Sequence, residues 1–193
     1  MEKQGSINEA AAIIKKKAEG KRHFVLALAG FGGAGKSTAA NKLSDALENA
    51  VVIPLDQFIT NRLSDRSADW DGFDWERLIE QVLKPIQNGS ETITFGIYDW
   101  PQNKIIEEKI LELPKYIVIE GCGLIREQLK KYFDFSIWID IPLEVAYERG
   151  STRDREEYKV DHDELWKERW TPNDRDYFEK YQPAVNADFL LKV

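Results

Sequence analysis

The stretch Phe24-Val25-Leu26-Ala27-Leu28-Ala29-Gly30-Phe31-Gly32-Gly33-Ala34-Gly35-Lys36-Ser37 decides the fold of this chain. Its first part, Phe24–Ala29, is a continuous apolar run, which is typical of a strand buried on both faces. Its second part, residues 30–37, matches the pattern G-x-x-x-x-G-K-[S/T]. Glycines at those positions let successive backbone N–H groups converge on phosphates at the start of a helix. The sequence therefore predicts a buried strand, a phosphate-binding loop and a helix in series.

The chemistry of this loop points to a nucleoside triphosphate. Lys36 is placed to bring a positive charge to the β- and γ-phosphates, and the Ser37 hydroxyl is placed to bind Mg²⁺. The residues predicted to bind the nucleotide are Gly32, Gly33, Ala34, Gly35, Lys36, Ser37 and Thr38.

The rest of the chain alternates between short apolar runs and helical patterns. Further buried strands are predicted at 51–53, 116–119, 136–139 and 189–191, and helices at 7–18, 36–49, 75–87, 122–131, 143–150 and 163–180. Such alternation indicates βαβ units and a parallel sheet. Two features interrupt it: a β-hairpin within 92–113 that follows the turn signal Asn88-Gly89, and a polar, aromatic loop over 60–74.

Composition narrows the function classes. The 193 residues are 42% hydrophobic and 32% charged, and the net charge is −7, so we expect an ordinary globular domain without a nucleic-acid partner. The single cysteine, Cys122, excludes an internal disulfide, and no apolar run is long enough to cross a bilayer. The polar N-terminus lacks a signal-peptide core, so we expect a cytoplasmic protein. No linker is visible, which predicts one domain over residues 1–193.

Two carboxylates follow predicted strands and are candidates for the chemistry. Asp56 comes directly after the run ending at Ile53, and Glu120 ends the run 116–119. Ligands of open α/β sheets bind at the carboxyl ends of the strands, so both could lie beside the phosphate loop and hold Mg²⁺ or accept a proton. The alternatives are that Asp56 only caps a helix and that Glu120 is only a solvated strand end.

Several segments in order resemble the uridine kinase and phosphoribulokinase-like family of P-loop kinases, most closely its small bacterial uridine kinase-like members. They are GFGGAGKST (30–38), PLDQF (54–58), FDWERL (73–78), GIYDW (96–100), IVIEG (117–121) and PAVNADFLL (183–191). The resemblance implies a three-layer α/β P-loop kinase fold, with five parallel strands, helices on both faces and an appended β-hairpin. It also implies that ATP, with Mg²⁺, phosphorylates a hydroxyl of a small metabolite such as a nucleoside or a sugar-like alcohol.

The resemblance also assigns roles to individual residues. Asp56 matches the catalytic aspartate and Glu120 a second carboxylate on the metal side, so Ser37, Asp56 and Glu120 are the implied Mg²⁺ ligands. The implied acceptor residues are Asp56, Phe58, Asp74, Tyr98 and Asn103. A lid over about 149–170 carries arginines that would close over the transferred phosphate, which makes Arg149 and Arg153 catalytic candidates beside Lys36 and Asp56.

The departures from the family pattern all fall on the acceptor and lid side. Asn103 stands where uridine kinases carry a base-contacting histidine, and Ile59 replaces a tyrosine. A nucleotide-dependent switch or ATPase with a macromolecular partner therefore stays open as an alternative, as does, more weakly, a nucleic-acid 5′-hydroxyl kinase. The chain could also assemble with copies of itself.

Two further side-chain groups have a structural interpretation and a functional one. Trp70, Trp75 and Trp100 could stack on an acceptor, but core packing or a cover over the hairpin is the favoured interpretation. His162 could be catalytic, but an exposed helix start is favoured.

Overall fold

The structure, a computed structural model, describes residues 3–59 and 68–193. The greater part of the predicted loop over 60–74 lies outside these residues. The strands of the main sheet are β1 (Gln4–Gly5), β2 (Phe24–Ala29), β3 (Ala50–Pro54), β6 (Tyr116–Gly121), β7 (Phe135–Ile139) and β8 (Phe189–Leu191). They are all parallel and lie in the order β1-β8-β7-β2-β6-β3.

The predicted α/β fold with a parallel sheet is confirmed, but the predicted count of five strands is wrong. The additional strand is β1, whose two residues pair with Leu190 and Leu191 of β8. It has no apolar run of its own, because its position comes from pairing with a distant strand and not from its composition.

The predicted hairpin is present, with β4 at Thr92–Asp99 and β5 at Lys104–Glu112. Its two strands pair only with each other among the described residues, so the hairpin is a separate antiparallel sheet rather than an extension of the main one. The Tyr98 end of β4 is held to the strand-end segment after β3, since the Tyr98 N–H donates to Gln57 Oε1 at 2.9 Å.

Helices surround the main sheet. They are α1 (Ile7–Lys17), α2 (Lys36–Leu47), α3 (Trp75–Leu78), α4 (Lys84–Gln87), α5 (Glu127–Lys130), α6 (Leu143–Glu156), α7 (Asp163–Leu165), α8 (Thr171–Tyr181) and α9 (Pro183–Asn186). A π turn, Ile79–Leu83, joins α3 to α4, and a second, Trp166–Trp170, joins α7 to α8. The helix predicted at 122–131 is reduced to one turn, and the one predicted at 143–150 continues to Glu156. No helix among the described residues is long and apolar enough to span a bilayer.

The core lies along the central strands. Every residue of β2 and β6 is buried, and the large rings of Phe24 and Trp138 are 1% exposed. Register then fixes the functional edge: Leu28 and Pro54 both pair with Glu120, so the ends of β2, β3 and β6 lie side by side. Residues that follow these three strands must meet at one edge of the sheet.

Candidate active site

The phosphate loop connects β2 to α2 and has the backbone that the glycine pattern predicts. Gly33 and Gly35 have φ values of 77° and 87°, in the left-handed region that favours glycine. A Cβ on Gly33 would overlap the carbonyl oxygen of Ala146 in α6, so no larger residue fits there. Gly35 caps α2 without a side-chain hydrogen bond, which leaves the first N–H groups of this helix available to an anion.

The Lys36 side chain folds back onto the phosphate loop. Its ammonium donates hydrogen bonds to the Phe31 carbonyl oxygen at 2.9 Å and to Cys122 Sγ at 3.2 Å. Burial lowers the pKa of Lys36, but Cys122, Glu120 and Asp174 outweigh burial and raise it overall. Because burial raises the pKa of the Cys122 thiol to about 12, the thiol is neutral at pH 7 and the two carboxylates supply the negative charge. Lys36 is therefore held as a cation.

The two predicted carboxylates meet at the strand ends, as the register requires. Ser37 Oγ donates to Glu120 Oε1 at 2.9 Å, and Glu120 is 6% exposed. Burial raises the pKa of Glu120, Lys36 opposes this, and the charge of Asp56 raises the pKa further. Asp56 is open to solvent, yet it lies deep enough in the cleft that desolvation raises the pKa of its carboxyl, against Lys36 and Arg153.

This donor set suits Mg²⁺. The cation prefers oxygen ligands and commonly takes one or two carboxylates, with water and substrate phosphates completing its shell. Ser37, Glu120 and Asp56 provide one hydroxyl and two carboxylates whose mutual repulsion a divalent cation would relieve. The described residues contain no cluster of three or more His, Cys, Asp and Glu side chains, so protein ligands alone do not form a closed cage.

The arginines of the lid segment differ in their contacts and exposure. Arg153 in α6 is the arginine whose charge acts on Asp56, and it donates to Asp154 Oδ1 at 2.8 Å. Arg149, one turn earlier, is exposed on the same helix. Arg155 instead holds the lid together through Asp163 at 2.7 Å.

Asp154 is a buried residue of α6 that holds the lid segment in place through hydrogen bonds. It is 2% exposed and accepts a hydrogen bond from Trp166 Nε1 at 2.9 Å, and it lies 3.1 Å from His162 Nδ1. Burial raises the pKa of Asp154, but hydrogen bonds from Arg153, Trp166 and His162 lower it overall. His162 immediately precedes α7 at the predicted helix start, and its contact to Asp154 gives it a structural role.

The remaining acceptor-side residues lie in three places: the hairpin, the start of α3 and the core. The Tyr98 hydroxyl donates to Asn103 Oδ1 beside the turn that connects β4 to β5, so these two residues are brought together. Asp74 caps α3 by accepting from the Arg77 N–H at 2.9 Å. Phe58 is fully buried against Phe95, so it can shape an acceptor pocket only from behind.

Three contributors to the site were missed by the sequence reasoning. Arg77 reaches the Gln57 and Gly96 carbonyl oxygens and lies 4.8 Å from the Phe58 ring centre, so it joins the Asp56 segment to the hairpin. Cys122 is a hydrogen-bond acceptor for Lys36. Asp174, in α8, accepts from the Gly32 N–H of the phosphate loop at 2.7 Å. Two of them gave a signal, since Cys122 lies two residues beyond Glu120 at a strand end and Arg77 lies in the segment FDWERL (73–78).

The three tryptophans that were considered for stacking on an acceptor differ in their exposure. Trp70 is buried at 6% exposure, whereas Trp100 is 51% exposed and packs edge-on against Tyr98 with ring centres 5.8 Å apart. Trp75 is half-buried, with the Arg126 guanidinium 4.0 Å from its ring centre. Of the three, Trp100 has the exposure that stacking on an acceptor requires.

Comparison with known proteins identifies the family. The model of the phosphoribulokinase / uridine kinase family matches residues 61–187. The chain belongs to this family. The matched region begins beyond the phosphate loop at the end of β2.

The curated relatives that this chain matches differ in name. A uridine kinase of Borrelia duttonii is 27% identical over 139 residues, which are 67% of this chain and 66% of the relative. A pantothenate kinase of Streptococcus agalactiae serotype III is 26% identical over 158 residues, which are 71% of this chain and 51% of the relative. The chain thus spans slightly under two thirds of the first relative and about half of the second.

A solved structure supports the fold. That of a possible uridine kinase from Bacillus stearothermophilus superimposes with a TM-score of 0.73, covering 96% of each chain at 22% sequence identity. At this identity the likeness shows a shared P-loop kinase fold and nothing about the acceptor.

Proposed function

We propose that this protein is an ATP-dependent kinase that transfers the γ-phosphoryl group to a hydroxyl of a small metabolite, a nucleoside or a sugar-like alcohol. One observation carries the proposal: the Ser37 hydroxyl of the phosphate loop is hydrogen-bonded to Glu120 at 2.9 Å, and Asp56 is close enough to raise the pKa of Glu120. A nucleotide loop with two carboxylates at neighbouring strand ends is what metal-assisted phosphoryl transfer to an alcohol requires.

In the proposed mechanism the loop residues 32–38 bind the phosphates of ATP, and Lys36 balances charge at the β- and γ-positions. Ser37, Glu120 and Asp56 would hold Mg²⁺, which when bound neutralises the phosphate oxygens and orients the γ-phosphate. The raised pKa of Asp56 suits a base that accepts a proton from an alcohol. The acceptor oxygen forms its bond to the γ-phosphorus as the bond to the β–γ bridging oxygen breaks, the proton passes to Asp56, and ADP leaves.

The lid and the hairpin would provide closure and acceptor selection. Arg153, already within electrostatic range of Asp56, is the lid arginine best placed to balance charge on the transferred group, with Arg149 as its neighbour. Tyr98, Asn103 and Asp74 are the proposed acceptor-binding side chains. A lid that excludes water matters because water is a competing acceptor.

The test is Mg·ATP-dependent release of ADP against a panel of acceptors, with Lys36→Ala as the blank. Uridine, cytidine, pantothenate and simple sugars and their phosphates form the panel, since two relatives are a uridine kinase and a pantothenate kinase. One acceptor that raises the rate at least tenfold over the rate with water would support the proposal and name the substrate. A flat panel with ADP release that responds to a macromolecule would favour the nucleotide-dependent switch instead. One domain over residues 1–193 and a cytoplasmic location stay predictions.

A further inference from the structure

Asp174 is a buried carboxylate that the proposed mechanism does not use. It lies in α8, directly after the lid segment, and is 1% exposed. Its Oδ2 accepts from the Gly32 N–H at 2.7 Å, and its Oδ1 accepts from Trp70 Nε1 at 2.8 Å. One carboxylate therefore joins the phosphate loop to the turn Ala68–Trp70, which is far from the loop in sequence.

The turn Ala68–Trp70 has an unfavourable backbone. Asp69 and Trp70 are consecutive non-glycine residues with φ values of 48° and 63°. Residues persist in this region only where their surroundings hold them. Here Lys180 of α8 donates to Asp69 Oδ2 at 2.6 Å, and Arg126 donates to the Asp69 carbonyl oxygen at 2.6 Å. The turn is thus a strained segment fastened by bonds, two of them from α8.

The turn leads directly into the acceptor side of the cleft. Phe73 pairs with Ile59 in an isolated β-bridge, and the Asp74 N–H donates to the Phe58 carbonyl oxygen at 2.8 Å. Both partners follow Asp56 closely in the chain. Movement of the turn would therefore shift the segment that follows Asp56 and the start of α3 at Asp74.

We propose that Asp174 is a positioning residue that transmits occupancy of the phosphate loop to the acceptor-side turn. This inference rests on the proposed function, because it takes ATP as the occupant of the loop. The phosphates of ATP bring negative charge to a loop whose Gly32 amide and Lys36 ammonium already face the Asp174 carboxylate. The phosphates repel and displace the Asp174 carboxylate, which weakens its hydrogen bond to Trp70. The strained turn then relaxes and admits an acceptor.

A coupling role and a purely structural role of Asp174 predict different effects on ATP affinity when the residue is replaced. If ATP binding must displace Asp174, then removing its charge makes binding easier, and a change at the turn must in return affect ATP affinity. A residue that only supports the fold would, when replaced, leave nucleotide affinity unchanged or weaken it.

The experiment compares wild type, Asp174→Asn and Lys180→Met at a temperature at which thermal unfolding has shown all three to be folded. Lys180→Met removes a bond between α8 and the turn, whereas Asp174→Asn removes the negative charge and leaves one acceptor oxygen for two donors, the Gly32 N–H and Trp70 Nε1. Calorimetry measures the affinity for the non-hydrolysable ATP analogue AMP-PNP with Mg²⁺. Hydrogen exchange followed by mass spectrometry measures protection of the amides over 68–75, with and without the analogue.

In the wild type, we expect the analogue to speed exchange over 68–75 about tenfold. Asp174→Asn should bind the analogue at least threefold more tightly, with exchange over 68–75 already fast and no longer responsive. Lys180→Met loosens the turn without touching the phosphate loop, so by reciprocity it should bind the analogue more tightly than wild type but less tightly than Asp174→Asn, and it should keep a response to the analogue.

Equal or weaker binding by Asp174→Asn, or an undiminished exchange response in that variant, would overturn the proposal while leaving the kinase function intact. A wild-type protein that fails to bind Mg·AMP-PNP would instead refute the kinase function, and the coupling with it.

Discussion

The donor half and the acceptor half of the cleft are built in different ways. The donor half, from Gly30 to Thr38, is one continuous segment whose backbone does most of the binding, so its residue types are fixed by local geometry. The acceptor half is assembled from the segment after β3, the cap of α3 and the end of the hairpin, which are joined by Arg77 and by Tyr98. A binding loop formed by one continuous segment can be identified from a single sequence. A pocket assembled from separate segments is harder to identify, because any of those segments can vary.

The largest effect is expected where the two halves meet, at Asp56. Replacing it by Asn removes the proposed base and one metal ligand but leaves the phosphate loop untouched. We expect kcat to fall about 10²- to 10⁴-fold, with ATP affinity changed no more than a few-fold. Steady-state kinetics with the acceptor found in the panel, together with calorimetry for ATP, would measure both.

A matched control for Asp56 is Asp45→Asn, because Asp45 lies near the end of α2, beyond the phosphate loop. The control should keep the wild-type rate. An Asp56→Asn protein that also kept its rate would remove Asp56 as the base.

The buried carboxylate on the donor side should make folding stability depend on pH. Burial raises the pKa of Asp174 from 3.8 to about 6, against Lys36. Because the folded-state pKa lies above the unfolded one, the stabilising contribution of protonation is complete below pH 3.8 and is lost as pH rises through 6. The wild type should therefore gain about 2 kcal/mol of unfolding free energy relative to Asp174→Asn between pH 7.5 and pH 4.5.

Urea unfolding of both proteins at the two pH values would check this. Asp56 and Glu120 titrate in wild type and variant alike, so the difference between the proteins reports Asp174. A difference in unfolding free energy that stays constant across this range would show that Asp174 is ionised throughout it.

The prediction from sequence succeeded for most of the local structure, with the shortened helix α5 as an exception. The alternation of β2 and α2, the hairpin and the helix α1 each depend on a few neighbouring residues, and the register of parallel strands then brings Asp56 and Glu120 to the loop. It failed where tertiary partners decide. Strand β1 exists because β8 is beside it.

The same reason explains what was missed within the site. Asp174 has no motif of its own in the sequence, and only the crossing of α8 behind the loop brings it to Gly32. Phe58 belongs to a recognisable segment, but packing turns its ring into the core. Resemblance of a segment located Phe58 without showing which way its ring points, and it gave no indication of Asp174.

A smaller effect is expected in the lid, where two neighbouring arginines can be compared directly. Arg153 acts on Asp56 and Arg149 is exposed one turn away. Arg153→Gln should lower kcat about 10- to 100-fold, since one group that balances transition-state charge is lost, and Arg149→Gln should lower it less than about threefold. Initial rates at saturating ATP distinguish the two, and the reverse order would place Arg149 over the transferred phosphate.

The smallest effect is expected at the hairpin, and it tests whether the acceptor half is independent of the donor half. The Tyr98 hydroxyl donates to Asn103 Oδ1, and losing one such bond costs about 1 kcal/mol. Tyr98→Phe should therefore raise the KM for the acceptor about three- to tenfold while the KM for ATP stays constant. Asn103→Ala should do the same, and the double variant should add little, because both changes break one pair. Additive losses would show that Tyr98 and Asn103 bind the acceptor separately, and a parallel rise in the KM for ATP would show that the hairpin and the phosphate loop act as one unit.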